Sequence, residues 1–172
     1  MFNPKSVFNG WDINPSAISL ARNNYSNISF FCADLLGLPP TYDLVICADV
    51  FEHVTDPYLF LTQLSKKASS CIFYCPFEAS FMSLLSNCRI VNDSFRNVGH
   101  LHFYFRSSLD LLISSCGFDI RSSHYASDWK WSSHCSKSLL RRSRLFFVIL
   151  ERLSLYGING NHIVLFATRS TY

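Results

Sequence analysis

Tyr42-Asp-Leu-Val-Ile-Cys-Ala-Asp-Val-Phe-Glu-His-Val-Thr-Asp-Pro57 is the stretch that decides how this chain is read. Leu44 to Cys47 is a short apolar run containing Val and Ile, which reads as a strand buried on both faces of a parallel sheet. At Ala48-Asp49 the character changes. Acids and a histidine follow, and Thr55-Asp56-Pro57 joins a capping side chain to a proline at the first helical position. A buried strand whose carboxyl end opens into polar residues is where open α/β sheets bind their ligands.

Working outward, Ser6 to Trp11 reads as a strand ending at Asp12, and Asn14-Pro15 opens a helix to about Asn23. Ile28 to Cys32 is the next strand, followed by Ala33-Asp34-Leu35. Beyond the central stretch, Tyr58 to Lys67 has helical spacing with Leu59, Leu61 and Leu64 expected inside. Ser70 to Cys75 is a strand broken by Pro76, and a helix containing Phe81, Leu84 and Leu85 is expected after Glu78. Ser107 to Cys116 reads as a helix stopped by Gly117, Phe118 to His124 as a sixth strand and Asn161 to Ala167 as a seventh. An insertion over 125–160 carries an expected basic amphipathic helix at 139–155, with Phe146, Phe147, Ile149 and Leu150 beside its arginines. Such a helix more often covers a core or a substrate entrance than rests on a membrane.

With 172 residues, 49% of them hydrophobic, the chain fits one domain over 1–172. A net charge of +3, with basic residues gathered only at Arg141-Arg142-Ser143-Arg144, is too small to imply a nucleic-acid partner, and none is expected. The start has no basic region ahead of an apolar core, and no apolar run reaches the roughly eighteen residues of a membrane span. Seven cysteines, an odd number with no C-x-x-C pair, suggest a reducing, cytoplasmic compartment and no metal site. A metal group drawing on His124, His134 and Cys135 lacks ligand spacing.

Individual residues suggest chemistry. An acid at a strand's carboxyl end, such as Asp12, can accept from both hydroxyls of a ribose, or merely cap the next helix, a task for which Asn14 is better placed. Asp34 either accepts from a ligand or closes a turn. His53 can act as a general base or hold its loop by hydrogen bonds, the structural role being the commoner one. His100 and His102 share a face if their segment is extended.

Several segments together resemble class I S-adenosylmethionine-dependent methyltransferases, in particular the small-molecule branch related to ubiquinone-biosynthesis enzymes. Asp43-Leu-Val-Ile-Cys-Ala-Asp-Val-Phe-Glu52-His53-Val54 resembles that family's fourth strand and following loop, and Trp11-Asp12-Ile-Asn14-Pro15 through Ala21 its ribose-binding motif. Gly99-His100-Leu-His102-Phe-Tyr104-Phe105 resembles its lid, with Phe105 where a hydroxyl residue is usual, and the run from Leu111 to Ile120 its approach to a terminal hairpin. The resemblance implies a Rossmann-like, doubly wound α/β fold, its mostly parallel sheet ending in an antiparallel C-terminal hairpin. It further implies S-adenosyl-L-methionine as cofactor, with Asp12 and Asn14 at the ribose, Asp34 and the Leu35 amide at the adenine, and backbone at Ala48 beside the methionine end. Glu52, His102 and Tyr104 would face a small-molecule methyl acceptor, and His53 or His100 would take its proton.

At one point the likeness fails. The family opens with a strand and a D-x-G-x-G-x-G loop, whereas the six glycines here are scattered at Gly10, Gly37, Gly99, Gly117, Gly157 and Gly160. The missing N-terminal strand is central in such a sheet, so the expectation is either a fragment or a decayed relative whose sheet is closed up or completed by a protein partner. Two other functions follow as alternatives: a non-catalytic methyltransferase-like binding module, and a NAD-dependent dehydrogenase using Asp12 on the ribose.

Overall fold

The structure is a computed structural model that describes residues 6–37, 41–79, 89–126 and 162–170. They fall into two compact units, Met1–Pro40 and Thr41–Tyr172. The expected helix around Phe81, the insertion and its helix at 139–155 lie outside the described residues. Among those described, no helix is long and apolar enough to cross a membrane.

The first unit is a β-α-β turn of chain. Strand β1 (Asn9–Asp12) pairs in parallel with β2 (Ser29–Cys32), in register Asn9 to Ser29 through Asp12 to Cys32, and helix α1 (Pro15–Asn24) crosses between them. Asn14 caps α1 as expected, its side chain accepting from the amides of Ser16 and Ala17, with Pro15 at the first turn. Ile18 is the buried residue of α1, and Arg22 reaches back to donate to the Phe30 carbonyl from Nη2 at 2.6 Å. Gly10 suits a close approach: a Cβ there would overlap the Phe30 ring across the ladder.

The second unit is a four-stranded sheet in the order β3-β4-β6-β5, made of β3 (Tyr42–Ala48), β4 (Ala68–Pro76), β5 (Phe118–Ala126) and β6 (His162–Arg169). Strands β3 and β4 are parallel, whereas β6 runs antiparallel to both β4 and β5, which is the expected reversed strand at the C-terminus. Helix α2 (Pro57–Lys67) connects β3 to β4 and begins on Asp56, whose side chain accepts from the Leu59 amide. A short helix α3 (Arg89–Asp93) runs into a wide turn over Ser94–Val98, and α4 (Arg106–Ser115) leads into β5. The chain turns from α4 to β5 at Gly117, whose φ of +91° suits glycine.

Alternating residues of the sheet build the core. Phe51, Phe73 and Phe118 are fully buried and meet edge to face in sequence, with centroids 5.9 Å apart for Phe51–Phe73 and 5.3 Å for Phe73–Phe118. Leu61, Leu64, Leu109, Ile113, Ile163 and Leu165 complete it; each such side chain contributes about 1.5–3 kcal/mol on burial.

Three expectations are corrected. Strand β3 is not buried on both faces: Leu44 is 37% and Ile46 64% exposed, because β3 pairs only with β4 among the described residues and its apolar side chains lack cover. Leu59 is exposed on α2, since Leu61 and Leu64 already fill the face turned to the sheet. Cys32, at the end of an apolar strand run where a cysteine is ordinarily a small core hydrophobe, is instead exposed at the tip of β2, unlike Cys47, Cys71 and Cys75.

Candidate functional site

In the first unit, parallel pairing aligns two acids at one end of a two-stranded sheet. Asp12 is the last residue of β1 and faces Cys32 in register; Ala33 donates its amide to the Asp12 carbonyl at 3.1 Å, and Asp34 follows directly. Both carboxylates are exposed. Each also serves its own loop: Asp12 Oδ1 accepts from the Asn14 amide at 2.7 Å, and Asp34 Oδ1 from the Leu36 amide at 2.9 Å. The turn-closing role and a ligand-binding role are therefore compatible, because these bonds use a single oxygen of each carboxylate. Leu35 starts the short 3-10 turn Leu35–Gly37 behind Asp34.

In the second unit, β3 ends at Ala48, which is exposed and pairs with Tyr74, and the chain then bends through Asp49 in the left-handed region at φ +48°. The bend turns Phe51 and Glu52 inward while His53 stays exposed. Glu52 is fully buried, and neither carboxyl oxygen has a hydrogen-bond partner among the described residues. Removal from water pushes its carboxyl up to about 7, the nearby Asp49 charge adding to the effect while its own backbone N–H dipole and His100 oppose it.

The segment expected to form a lid is fastened to this loop. Leu101 and His102 donate their amides to the Glu52 carbonyl at 2.9 and 3.2 Å, and His102 Nε2 donates to the Val54 carbonyl at 2.9 Å. His53 Nδ1 bonds the Gly99 carbonyl at 3.2 Å, the loop-holding role expected for it. His100 is buried, its Nδ1 lying 2.9 Å from Glu78 Oε2, while Ser94 Oγ donates to Glu78 Oε1. Tyr104 is buried against Phe51 with its hydroxyl unpartnered among the described residues, and desolvation pushes its pKa well above the usual phenol range.

The fold thus brings Glu52, His53, His100, His102 and Tyr104 together within the second unit, and Asp12, Asn14 and Asp34 together within the first. Three residues escaped the sequence reading. Glu78 follows the carboxyl end of β4, so the strand-tip rule that selected Asp12 would have found it. Ser94 carried no such signal. His162 lies 3.5 Å from Asp49 and stacks on Tyr74 with centroids 4.3 Å apart, tying the β3 loop to β6, a contact that pairing alone reveals.

Residues 4–68 match the family model described as "Methyltransferase domain". No curated protein sequence matches this chain. Among solved structures, magnesium protoporphyrin IX methyltransferase from Synechocystis PCC 6803 with bound SAH is 18% identical over 96% of this chain and 65% of its own, with a TM-score of 0.62. A SAM-dependent methyltransferase from Archaeoglobus fulgidus is 17% identical over 94% of this chain and 75% of its own, at a TM-score of 0.59. The Haloferax volcanii complex between the Trm112 methyltransferase activator and a candidate methyltransferase matches at 14% identity over 94% of this chain and 71% of that one, at a TM-score of 0.63. This chain spans less than two thirds of the Synechocystis enzyme's length. The expected family likeness is borne out: residues 4–68 carry a methyltransferase-domain signature, and the chain has the α/β fold of class I S-adenosylmethionine-dependent methyltransferases.

Proposed function

We propose that this chain binds S-adenosyl-L-methionine and transfers its methyl group to a small-molecule acceptor. The observation that carries this reading is the pair of exposed acids, Asp12 and Asp34, following adjacent parallel strands at one end. Asp12 would accept from the ribose hydroxyls, with Asn14 holding the turn behind it; Asp34 would accept from the adenine amine while the Leu35 amide meets the ring. Ala48 would border the methionine portion. Transfer would be an in-line displacement: the acceptor's nucleophilic atom forms a bond to the methyl carbon, the carbon–sulfur bond breaks, and the acceptor's proton passes to a base. His53 and His100 are the candidate bases, and Glu52, His102 and Tyr104 would shape the acceptor side. The free cysteines fit a reducing, cytoplasmic setting.

A second reading is favoured by the uncovered apolar residues of β3. A protein partner that pairs with this strand would complete the sheet, and the chain would then act as a methyltransferase-like binding module. In the Haloferax volcanii complex, a methyltransferase fold is seen with an activator protein. Isothermal titration of the purified chain with S-adenosylhomocysteine and, separately, NAD tests both. Saturable binding of the first alone supports the enzyme; NAD binding alone supports a dehydrogenase; binding of neither supports the partner-binding module.

A further inference from the structure

We propose that Glu52, His53 and His100 form a binding site for one divalent transition-metal ion of the zinc class, held by two imidazoles and one carboxylate. One ligand atom from each of these residues lies within 4.8 Å of the others. A zinc ion with bonds of about 2.0–2.1 Å holds its ligands roughly 3.4 Å apart, so a closure of up to about 1.4 Å completes the set.

Two independent features point to a cation there. Glu52 is fully buried with both carboxyl oxygens unpartnered, in a protein interior where a polar group without a hydrogen bond is costly. A bound cation would satisfy those oxygens. The imidazoles are also already held as metal-binding histidines usually are, with the second ring nitrogen donating to a carboxylate or a backbone carbonyl. His100 Nδ1 is 2.9 Å from Glu78 Oε2, and His53 Nδ1 is 3.2 Å from the Gly99 carbonyl. Both bonds place the proton on Nδ1 and leave the Nε2 lone pair for a ligand. The rings meet edge to face at 77°, with centroids 4.7 Å apart. Glu78 is in turn fixed by Ser94, so the support extends to a further layer.

Nitrogen and oxygen donors in this ratio suit zinc or its neighbours better than magnesium or calcium, which take oxygen sets. Three protein ligands leave a fourth position for water or another exchangeable oxygen ligand. Sequence spacing conceals the site, because His100 joins Glu52 and His53 only through the folding of the 99–105 segment onto the β3 loop. An imidazole nitrogen on a metal accepts no proton, so this inference competes with the base role offered above for the same rings and does not rest on methyl transfer.

The test is metal binding by the whole chain, with no turnover involved. Chelator-stripped protein is titrated with Co²⁺ followed by its visible d–d absorption, and with Zn²⁺ in competition. One equivalent of tightly bound cobalt, without a thiolate-to-cobalt charge-transfer band, is expected. Glu52→Gln and His100→Ala are expected to weaken binding at least tenfold, and Glu78→Gln by tenfold or more through loss of ring orientation. Circular dichroism checks that each variant is folded, and Glu52→Gln, which keeps the side chain's shape, guards against loss through misfolding. Absence of stoichiometric binding, a charge-transfer band marking cysteine ligands, or equal affinity in folded Glu52→Gln each overturns the proposal.

Discussion

His53 and His100 stand edge to face with centroids 4.7 Å apart, beside a buried Glu52 carboxyl that has no hydrogen-bond partner among the described residues. The loop after β3 and the segment 99–105 come together around this arrangement. The Glu52 backbone carbonyl is the hinge of it, accepting from both Leu101 and His102. The side chain is therefore held in place by its own main chain rather than by a partner for its charge.

That burial gives a pH signature in the metal-free protein. The folded carboxyl is raised from an ordinary value of 4.5 to about 7, so between those limits the folded state holds a proton that the unfolded state has lost. Stability then falls as pH rises from about 4.5 to about 7 and is level above it, by on the order of 1–3 kcal/mol. Glu52→Gln removes that slope and raises stability near neutrality. Urea denaturation in chelator at a series of pH values measures it; parallel curves for wild type and variant would contradict the account.

Gly117 should be hard to replace. Its φ of +91° places it where a side chain is strained, and an added Cβ would lie 3.3 Å from Ser65 Oγ on α2. Gly117→Ala is expected to destabilise the fold by about 1–2 kcal/mol, with Gly117→Asn costing less. The midpoint of chemical denaturation reads this directly.

The described cysteines should separate by reactivity. Burial raises the thiols of Cys47 and Cys75 far above the usual range and that of Cys71 to about 12, whereas Cys32 is exposed at the end of β2. Brief treatment of the native protein with iodoacetamide, followed by peptide mass spectrometry, is expected to label Cys32 many times faster than those three. Comparable labelling of Cys71 would show that β4 opens readily.

Much of this fold was legible from local chemistry. Asn14-Pro15 and Asp56-Pro57 mark helix starts because a capping oxygen and a proline act within one turn of chain, and Gly117 marks a helix end for a similarly local reason. The apolar run of β3 was legible as a strand, and its unpaired edge only through the family resemblance, in which the strand absent from this sequence would lie beside it; whether Ile46 is covered depends on which strands lie beside it, and no residue within the run encodes that. The same limit hid the Glu78 support, and spacing alone does not join His100 to Glu52 and His53, which only the family resemblance set on one acceptor side. Asp12 and Asp34 lay within reach, because parallel pairing of consecutive strands brings their tips to one end without any information from elsewhere.

Asp12 is the residue on which the cofactor assignment can be separated from its turn. Its Oδ1 accepts the Asn14 amide at 2.7 Å, and an asparagine oxygen can make the same bond. Asp12→Asn should therefore keep the entry to α1 and leave thermal stability close to wild type, while Asp12→Ala loses both the turn and the charge. A charged acceptor on a ribose hydroxyl contributes about 1.5–3 kcal/mol, so Asp12→Asn is expected to weaken S-adenosylhomocysteine binding by roughly ten- to a hundredfold. Titration calorimetry beside a thermal melt gives both quantities on one sample. If Asp12→Asn binds as wild type does, the carboxylate serves only its own loop, and the nucleoside must be held elsewhere.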